Sequence, residues 1–284
     1  MERPGELAAS SLLAVGGIDY GSPGEGAGAA SLAGPSWSGA LDRARPPSGF
    51  QRLAETSKEV EIVSRLFGER AEKGPITMLQ GLDATTDAFV GLAPSARFVH
   101  LATHGYFAPD SILSRQETGP LDEKLDFGQA STLGDQVREL APMLLCGLAF
   151  AGANEGQRPE DRAGGLMTAE ELAAVDLSRC ELVVLSACET NVGERRSGQG
   201  IASLQQALYG AGAASAMTSL WKVPDEATQV LMGEFYRKLW VLKEPAARAL
   251  HQAKKMLRQQ KDEQGRLLFR TVDWAGWVLT GEGG

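Results

Sequence analysis

Two residues with complementary chemistry each follow an apolar run of the sequence. His104 comes just after the run 97–102 (RFVHLA) and directly before Gly105. Cys188 follows the run 181–187 (ELVVLSA), and the chain becomes polar immediately after it. An imidazole beside a thiol promotes the thiolate, which is the reactive form, and can then protonate a leaving amine. The two residues therefore indicate nucleophilic catalysis, with Cys188 as the nucleophile and His104 as the general base.

Other residues that are able to carry chemistry have simpler interpretations. A structural cysteine more often lies inside an apolar run, as Cys146 and Cys180 do. His100 lies in the middle of its run, so we expect a buried, hydrogen-bonded histidine there. The loop 193–200 (GERRSGQG) has the glycine spacing of a phosphate-binding loop but lacks its Lys and Ser/Thr. With no CxxC pair and only three histidines, the sequence does not support a zinc site either, and no cofactor is expected.

The elements that must position His104 and Cys188 follow from the apolar pattern. Near-continuous apolar runs, typical of buried strands, alternate with segments of helical periodicity. The predicted strands cover residues 11–15, 76–79, 97–102, 143–150, 181–187, 214–221 and 271–280. The predicted helices cover 53–67, 83–92, a segment opened by a capping box from Thr168 to Glu171, 201–209, 225–242 and 246–259.

This alternation predicts the fold class. Strands and helices in turn along the chain favour one α/β domain over residues 1–284, with a mostly parallel sheet and helices on both faces. In such sheets functional groups gather beyond the carboxyl ends of the strands. His104 and Cys188 both stand at such strand ends.

Composition narrows the class of protein. The chain has 284 residues, of which 43% are hydrophobic and 23% charged, and its formal net charge is −8. That acidic balance does not favour a nucleic acid or a membrane surface as partner, because both need clustered positive charge. The N-terminal residues lack the layout of a signal peptide, and no apolar run is long enough to span a bilayer. Three cysteines, an odd number, argue against a disulfide framework and favour a reducing, cytoplasmic environment.

One segment lacks the pattern of a folded element. Residues 21–49 are rich in Gly, Ser and Pro and hold few residues whose burial would offset the entropy of ordering them. We expect a flexible loop there. No repeat of fixed period is visible, so a solenoid is not expected.

Several segments match one family pattern in the same order. They are 100–105 (HLATHG), 146–154 (CGLAFAGAN), 166–171 (LMTAEE), 185–190 (LSACET), 219–228 (SLWKVPDEAT) and 274–281 (WAGWVLTG). Together they resemble the CHAT domain of the caspase-like (clan CD) cysteine peptidases. The resemblance extends over nearly the whole chain, from about Leu12 to Gly281.

The resemblance implies a caspase-like three-layer α/β sandwich and endopeptidase chemistry. It assigns Cys188 as the nucleophile and His104 as the general base, acting as a dyad. It also assigns the backbone N–H groups of Gly105 and Cys188 to the oxyanion, where each such donor contributes about 3 kcal/mol. The histidine precedes the cysteine by 84 positions, whereas the spacing in caspases is about 50. The longer spacing contains a polar insertion at about 116–141, which can act as a lid or a cleavable loop. Cys146 replaces the usual Ser of the family, which is expected to alter the pocket wall.

The resemblance also indicates where a substrate binds. Ser186 stands two residues before the nucleophile, where metacaspases have an Asp that helps to bind a basic residue. Ser219 and Trp221 belong to the segment near the substrate-binding strand of caspases, which pairs with an extended peptide. The acidic residues Glu189 and Asp225 favour a basic residue before the scissile bond, but Asp225 alternatively caps the helix that follows it. The preferred substrate residue stays open.

The resemblance further implies partners and a setting. CHAT domains usually follow regulatory modules such as helical repeats, and many serve prokaryotic signalling or antiphage defence. Besides its protein or peptide substrate, we therefore expect a regulatory domain in a longer protein or an activating partner in trans, with a low basal rate that the regulator relieves. Two alternatives come from other classes: a catalytically silent adaptor that binds peptides or partner proteins in the same groove, and a nucleotide-binding protein, against which Gln199 argues.

Overall fold

The computed structural model of the chain describes residues 11–22, 49–70, 72, 74–107, 143–144, 146–155, 164–186, 188–189 and 197–282. For residues 107, 188–189 and 197–201 it describes the backbone alone. The predicted insertion at 116–141 lies outside these residues, as does the predicted loop at 21–49 except for its ends.

The described strands form two sheets. They are β1 (Leu12–Ile18), β2 (Ile76–Gly81), β3 (Phe98–Leu101), β4 (His104–Phe107), β5 (Cys146–Ala149), β6 (Leu166–Thr168), β7 (Leu182–Leu185), β8 (Cys188–Glu189), β9 (Ser215–Ser219) and β10 (Trp277–Gly281). The large sheet has the order β10-β9-β7-β3-β1-β2, and the small one has the order β6-β5-β4-β8. All neighbours in the large sheet are parallel except β10 and β9. The predicted mostly parallel α/β architecture is confirmed, with the addition of the small sheet.

Helices cover both faces of the large sheet. They are α1 (Ala54–Gly68), α2 (Thr86–Leu92), α3 (Ala169–Ala173), α4 (Ser197–Gly210), α5 (Asp225–Tyr236) and α6 (Ala246–Gln259). Successive strand residues point to opposite faces. Leu13 and Val15 of β1 accordingly pack in one core cluster with residues of α3 and α4, whereas Leu12 and Ala14 pack in a second cluster with residues of α1, α5 and α6. The three layers expected of a caspase-like sandwich follow from this alternation.

Two predicted elements are shorter than expected. The predicted strand 271–280 is a 3-10 turn, Thr271–Asp273, followed by β10. The turn forms because the Asp273 carboxylate accepts a hydrogen bond from the Arg270 backbone N–H at 2.7 Å. The predicted helix 225–242 ends at Tyr236, and a π-helical turn continues it to Val241.

The capping box is confirmed. The Thr168 hydroxyl accepts the Glu171 backbone N–H at 3.1 Å, and the Glu171 carboxylate accepts the Thr168 backbone N–H at 2.8 Å. It begins α3 at the end of the small sheet. Within the described ranges, no helix combines the length and the apolar character needed to cross a membrane.

Candidate active site

The strands that carry His104 and Cys188 leave the large sheet side by side. β3 pairs with β7 in the large sheet, and β4 pairs with β8 in the small one, both in parallel. The offset between paired residues is 84 positions for Phe98 and Leu182 and again for His104 and Cys188. The segments that contain β3–β4 and β7–β8 therefore keep the same pairing register in the large and the small sheet. This brings the Cα of Cys188 opposite that of His104, one strand spacing of about 4.8 Å away.

The His104 imidazole is anchored by one nitrogen. Its Nε2 lies 2.6 Å from the backbone carbonyl oxygen of Gln51, just before α1. A carbonyl oxygen has no proton to give, so Nε2 must carry the hydrogen and donate it. In the neutral ring Nδ1 then holds the lone pair. Nδ1 is buried and has no hydrogen-bond partner among the described residues, so it is the nitrogen available to take a proton.

Aromatic rings enclose the imidazole. The ring centroids of Tyr20 and Phe50 lie 5.0 Å and 5.6 Å from that of His104. His104 is 3% exposed as a result. Burial lowers its pKa below the ordinary value, the Gln51 carbonyl raises it, and the charges of Lys222 and Asp225 act in opposite directions. The lowered pKa favours the neutral form of the imidazole at pH 7.

The residues just before His104 are held by a buried hydrogen-bond chain. The Thr103 hydroxyl donates to the Ala149 carbonyl of β5, and the Tyr20 hydroxyl lies 3.1 Å from the Thr103 oxygen. Burial raises the pKa of Tyr20 to about 12, so it remains a neutral donor. These hydrogen bonds link Tyr20, two residues after β1, and the last residue of β5 to the residue that precedes His104.

His100 is the buried histidine that its position predicts. Its Nδ1 lies 3.0 Å from the Tyr236 hydroxyl, and its Nε2 lies 3.2 Å from a carboxylate oxygen of Glu59. All three side chains are buried between β3, α1 and α5. Tyr236, which contacts His100, belongs to the second core cluster, whereas Tyr20 and Phe50, which contact His104, belong to the first. His100 is therefore a core residue on the other face of the large sheet from the rings around His104.

The residues expected to bind substrate are placed at different depths. Ser186 and Ser219 are buried at the carboxyl ends of β7 and β9. Cys146 is fully buried in the core beside β4, so its burial does not support a place in a pocket wall. Gly105 pairs with Leu148 on one edge of β4 and with Glu189 on the other.

Trp221 and Asp225 lie near the carboxyl end of β9. The Trp221 indole is 38% exposed, and its Nε1 donates to the Val272 carbonyl at 2.7 Å. Asp225 is the first residue of α5, whose N-cap is Pro224 without a side-chain cap. Asp225 therefore does not cap the helix, although a carboxylate in the first turn suits the helix dipole. Its negative charge acts to raise the pKa of His104.

A metal centre or a ligand cavity among the described residues would be a further candidate site. In the described part of the chain, no three His, Cys, Asp or Glu side chains are grouped so that they could hold a metal ion. A cavity of about 450 Å³ is lined by Phe98, Leu182 and Ser215, the first residues of β3, β7 and β9. It therefore lies at the end of the sheet opposite to His104.

Sequence reasoning missed the groups that surround the base. Gln51 acts through its backbone carbonyl, which no residue type reveals, and Tyr20 and Phe50 come from segments that carry no motif. Asn154, whose side chain binds the Phe50 backbone, closes the segment 146–154. A polar side chain directly after an apolar, glycine-containing run was the signal that could have found it.

Comparisons with known proteins give a family and two relatives. A family model described as the CHAT domain matches residues 21–282. Tetratricopeptide repeat protein 28 of Homo sapiens is 25% identical over 235 residues, and that of Mus musculus is 27% identical over 235 residues. Each alignment covers 81% of this chain and 8% of the relative. The chain thus spans less than a tenth of the length of the curated relatives it matches.

Proposed function

Because the chain belongs to the CHAT domain family, we propose that it is a cysteine endopeptidase in which His104 and Cys188 form the catalytic dyad. The observation that carries the proposal is the register that sets these residues opposite each other on β4 and β8. The orientation of the imidazole supports it, because the Gln51 carbonyl holds Nε2 and leaves Nδ1 with the lone pair.

The proposed mechanism uses the two residues in turn. The Cys188 thiol gives its proton to Nδ1 of His104, and the thiolate sulfur attacks the scissile carbonyl carbon. The resulting oxyanion is held by the backbone N–H groups of Gly105 and Cys188. The protonated Nδ1 then gives its proton to the leaving amine as the C–N bond breaks. Water hydrolyses the thioester and restores the thiol.

We propose that the enzyme is latent. The leaving amine must come within hydrogen-bond reach of Nδ1 of His104. That nitrogen is buried, and the rings of Tyr20 and Phe50 pack against the imidazole as part of its cover. A regulator that moves this cover would raise the rate without changing the dyad.

The relatives suggest the type of regulator. Their name refers to tetratricopeptide repeats, which stack helix pairs into extended binding surfaces. We propose that a helical-repeat module, in the same protein or in trans, is the activating partner. The family resemblance leads us to propose a role in prokaryotic signalling or antiphage defence, and the odd number of cysteines leads us to propose a cytoplasmic location.

The substrate groove is proposed to lie at the carboxyl end of β9. There the exposed Trp221 indole offers an apolar face to an extended peptide. Asp225 is exposed, and its negative charge acts to raise the pKa of His104. The same charge favours a basic residue before the scissile bond. Glu189, which follows Cys188 in the sequence, adds a second carboxylate. Ser186 and Ser219 stand at the carboxyl ends of β7 and β9.

The first test is cleavage of a diverse peptide pool, read by mass spectrometry. Wild type is compared with Cys188→Ala and with the matched control Cys180→Ala, which removes a buried thiol at the start of β7. Cuts made by wild type and Cys180→Ala but not by Cys188→Ala would support the peptidase. Their flanking residues would define the preferred side chain.

An absence of cuts would be expected both of a latent enzyme and of a silent adaptor, which a second experiment separates. A thiol-directed peptide probe is then applied to wild type and His104→Gln. Labelling of Cys188 that requires His104 would support a competent but covered dyad. Equal or absent labelling in both proteins would refute the peptidase and favour the adaptor.

A further inference from the structure

The Asn154 side chain makes hydrogen bonds to the backbone of two segments, at Phe50 shortly before α1 and at Gly21 shortly after β1. Its Oδ1 accepts the Phe50 backbone N–H at 2.7 Å, and its Nδ2 donates to the Phe50 carbonyl at 3.0 Å. The same Nδ2 donates to the Gly21 carbonyl at 2.8 Å. The side chain is 6% exposed, so these bonds form away from competing water. One amide thus fixes two chain segments that are separated by 28 residues of sequence.

The residue that follows Phe50 holds the His104 imidazole. Phe50 precedes Gln51, whose carbonyl oxygen accepts Nε2–H of His104. Because Asn154 holds both polar groups of Phe50, the Phe50–Gln51 linkage has little freedom to rotate. The Asn154 backbone is itself anchored, since its N–H donates to the Tyr20 carbonyl at 2.8 Å.

We propose that Asn154 is a positioning residue that sets the tautomer and orientation of His104 through the Gln51 carbonyl. The role is indirect, because the amide touches the Phe50 backbone and not the imidazole. When the amide is lost, the Gln51 carbonyl is free to turn away and Nε2–H loses its acceptor. The ring then populates the other tautomer, in which Nδ1 carries the hydrogen and cannot accept a proton from a thiol.

The inference deepens the proposed function, but it can be tested separately from it. The chain has three histidines, so ¹⁵N imidazole spectra are assignable with His→Gln variants. Wild type is expected to show His104 as the Nε2–H tautomer alone. Asn154→Ala and the nearly isosteric Asn154→Asp, which removes both amide donors, are expected to show a mixture. Asn154→Ala, which adds no charge, is also expected to lower the pKa of His104, since the Gln51 bond raises it.

Tyr236→Phe is the matched control for lost stability. It removes a buried hydrogen bond to His100 on the other face of the sheet and is expected to leave the His104 tautomer unchanged. If peptide cleavage is established, the Asn154 variants should lower kcat by about 10²-fold, with KM changed less than about twofold. Should the alanine variant not fold, the aspartate variant decides.

Two results would separate this inference from the proposed function. If both Asn154 variants keep the Nε2–H tautomer and the wild-type pKa of His104 while losing stability, Asn154 is merely structural and the inference is wrong. If the tautomer changes but wild type neither cleaves peptides nor shows His104-dependent labelling of Cys188, the positioning role stands and the peptidase does not.

Discussion

Replacing Gly276 with alanine should dislodge the Trp221 indole. A Cβ at position 276 would lie 2.7 Å from Cε2 of Trp221 and 3.0 Å from Cδ2 and Cζ2. Carbon atoms in ordinary contact are about 3.5 Å or more apart. The indole would therefore have to retreat by about 0.8 Å, away from the position in which its Nε1 donates to the Val272 carbonyl at 2.7 Å.

The cost follows from this displacement. Overpacking costs about 1–3 kcal/mol, and a lost hydrogen bond about 1 kcal/mol. Trp221 is only partly buried, so the ring can swing outward and limit the strain. We expect Gly276→Ala to lower the free energy of unfolding by about 2 kcal/mol, which is a fall of about 4–8 °C in Tm. If Trp221 contacts substrate, KM should rise as well.

The assay is thermal and urea unfolding of a small set of variants. Gly91→Ala is the matched control, because a Cβ there meets nothing within 4 Å and Gly91 lies in α2. It should be neutral or stabilising by about 0.5–1 kcal/mol. In the Trp221→Ala background, Gly276→Ala should cost almost nothing. An equal cost with and without the indole would refute the steric argument.

Three further predictions concern stability. Tyr236→Phe strips the buried His100 Nδ1 of its hydroxyl partner and should cost about 1–3 kcal/mol in urea unfolding; a neutral effect would contradict that hydrogen bond. Thr168→Ala removes the hydroxyl that accepts the Glu171 backbone N–H and should cost about 1 kcal/mol. Adding Glu171→Ala should cost more, because the backbone N–H of residue 168 then loses its carboxylate acceptor; no added cost would contradict the reciprocal bonds. Burial lowers the pKa of His104 below its unfolded value of about 6.5. As the pH drops below about 6.5 the unfolded chain therefore binds the proton first, and the free energy of unfolding falls. Between pH 7.5 and pH 5.5 the His104→Gln variant should lose less stability than wild type, and equal losses in the two proteins would contradict the shift.

Much of the fold was predictable because local patterns agree with the tertiary structure. The apolar runs at 97–102 and 181–187 predict buried strands, and both form neighbouring parallel strands. The capping box at Thr168 needs only residues three apart and forms as predicted. The strand predicted at 271–280 failed in its first half, because a side-chain contact between Arg270 and Asp273 favours a turn.

The chemistry was predictable only as residue types. His104 and Cys188 were recognisable because each polar residue ends an apolar run, where an α/β sheet exposes its functional groups. The expected place of Cys146 in a pocket wall has no support, since its side chain is fully buried. The sequence could not reveal that burial, because residue type does not report which side of a strand faces the core.

The sequence by itself indicated seven of the ten described strands, the described α-helices and the two residues whose types suit nucleophilic chemistry. Only the tertiary structure decided which nitrogen of His104 holds the lone pair, how deeply the imidazole is buried and which groups surround it. Strands and caps depend on neighbours within a few residues, which a sequence displays directly. The environment of His104 depends on a backbone carbonyl 53 residues away and on an amide beyond it, and such contacts exist only once the chain has folded.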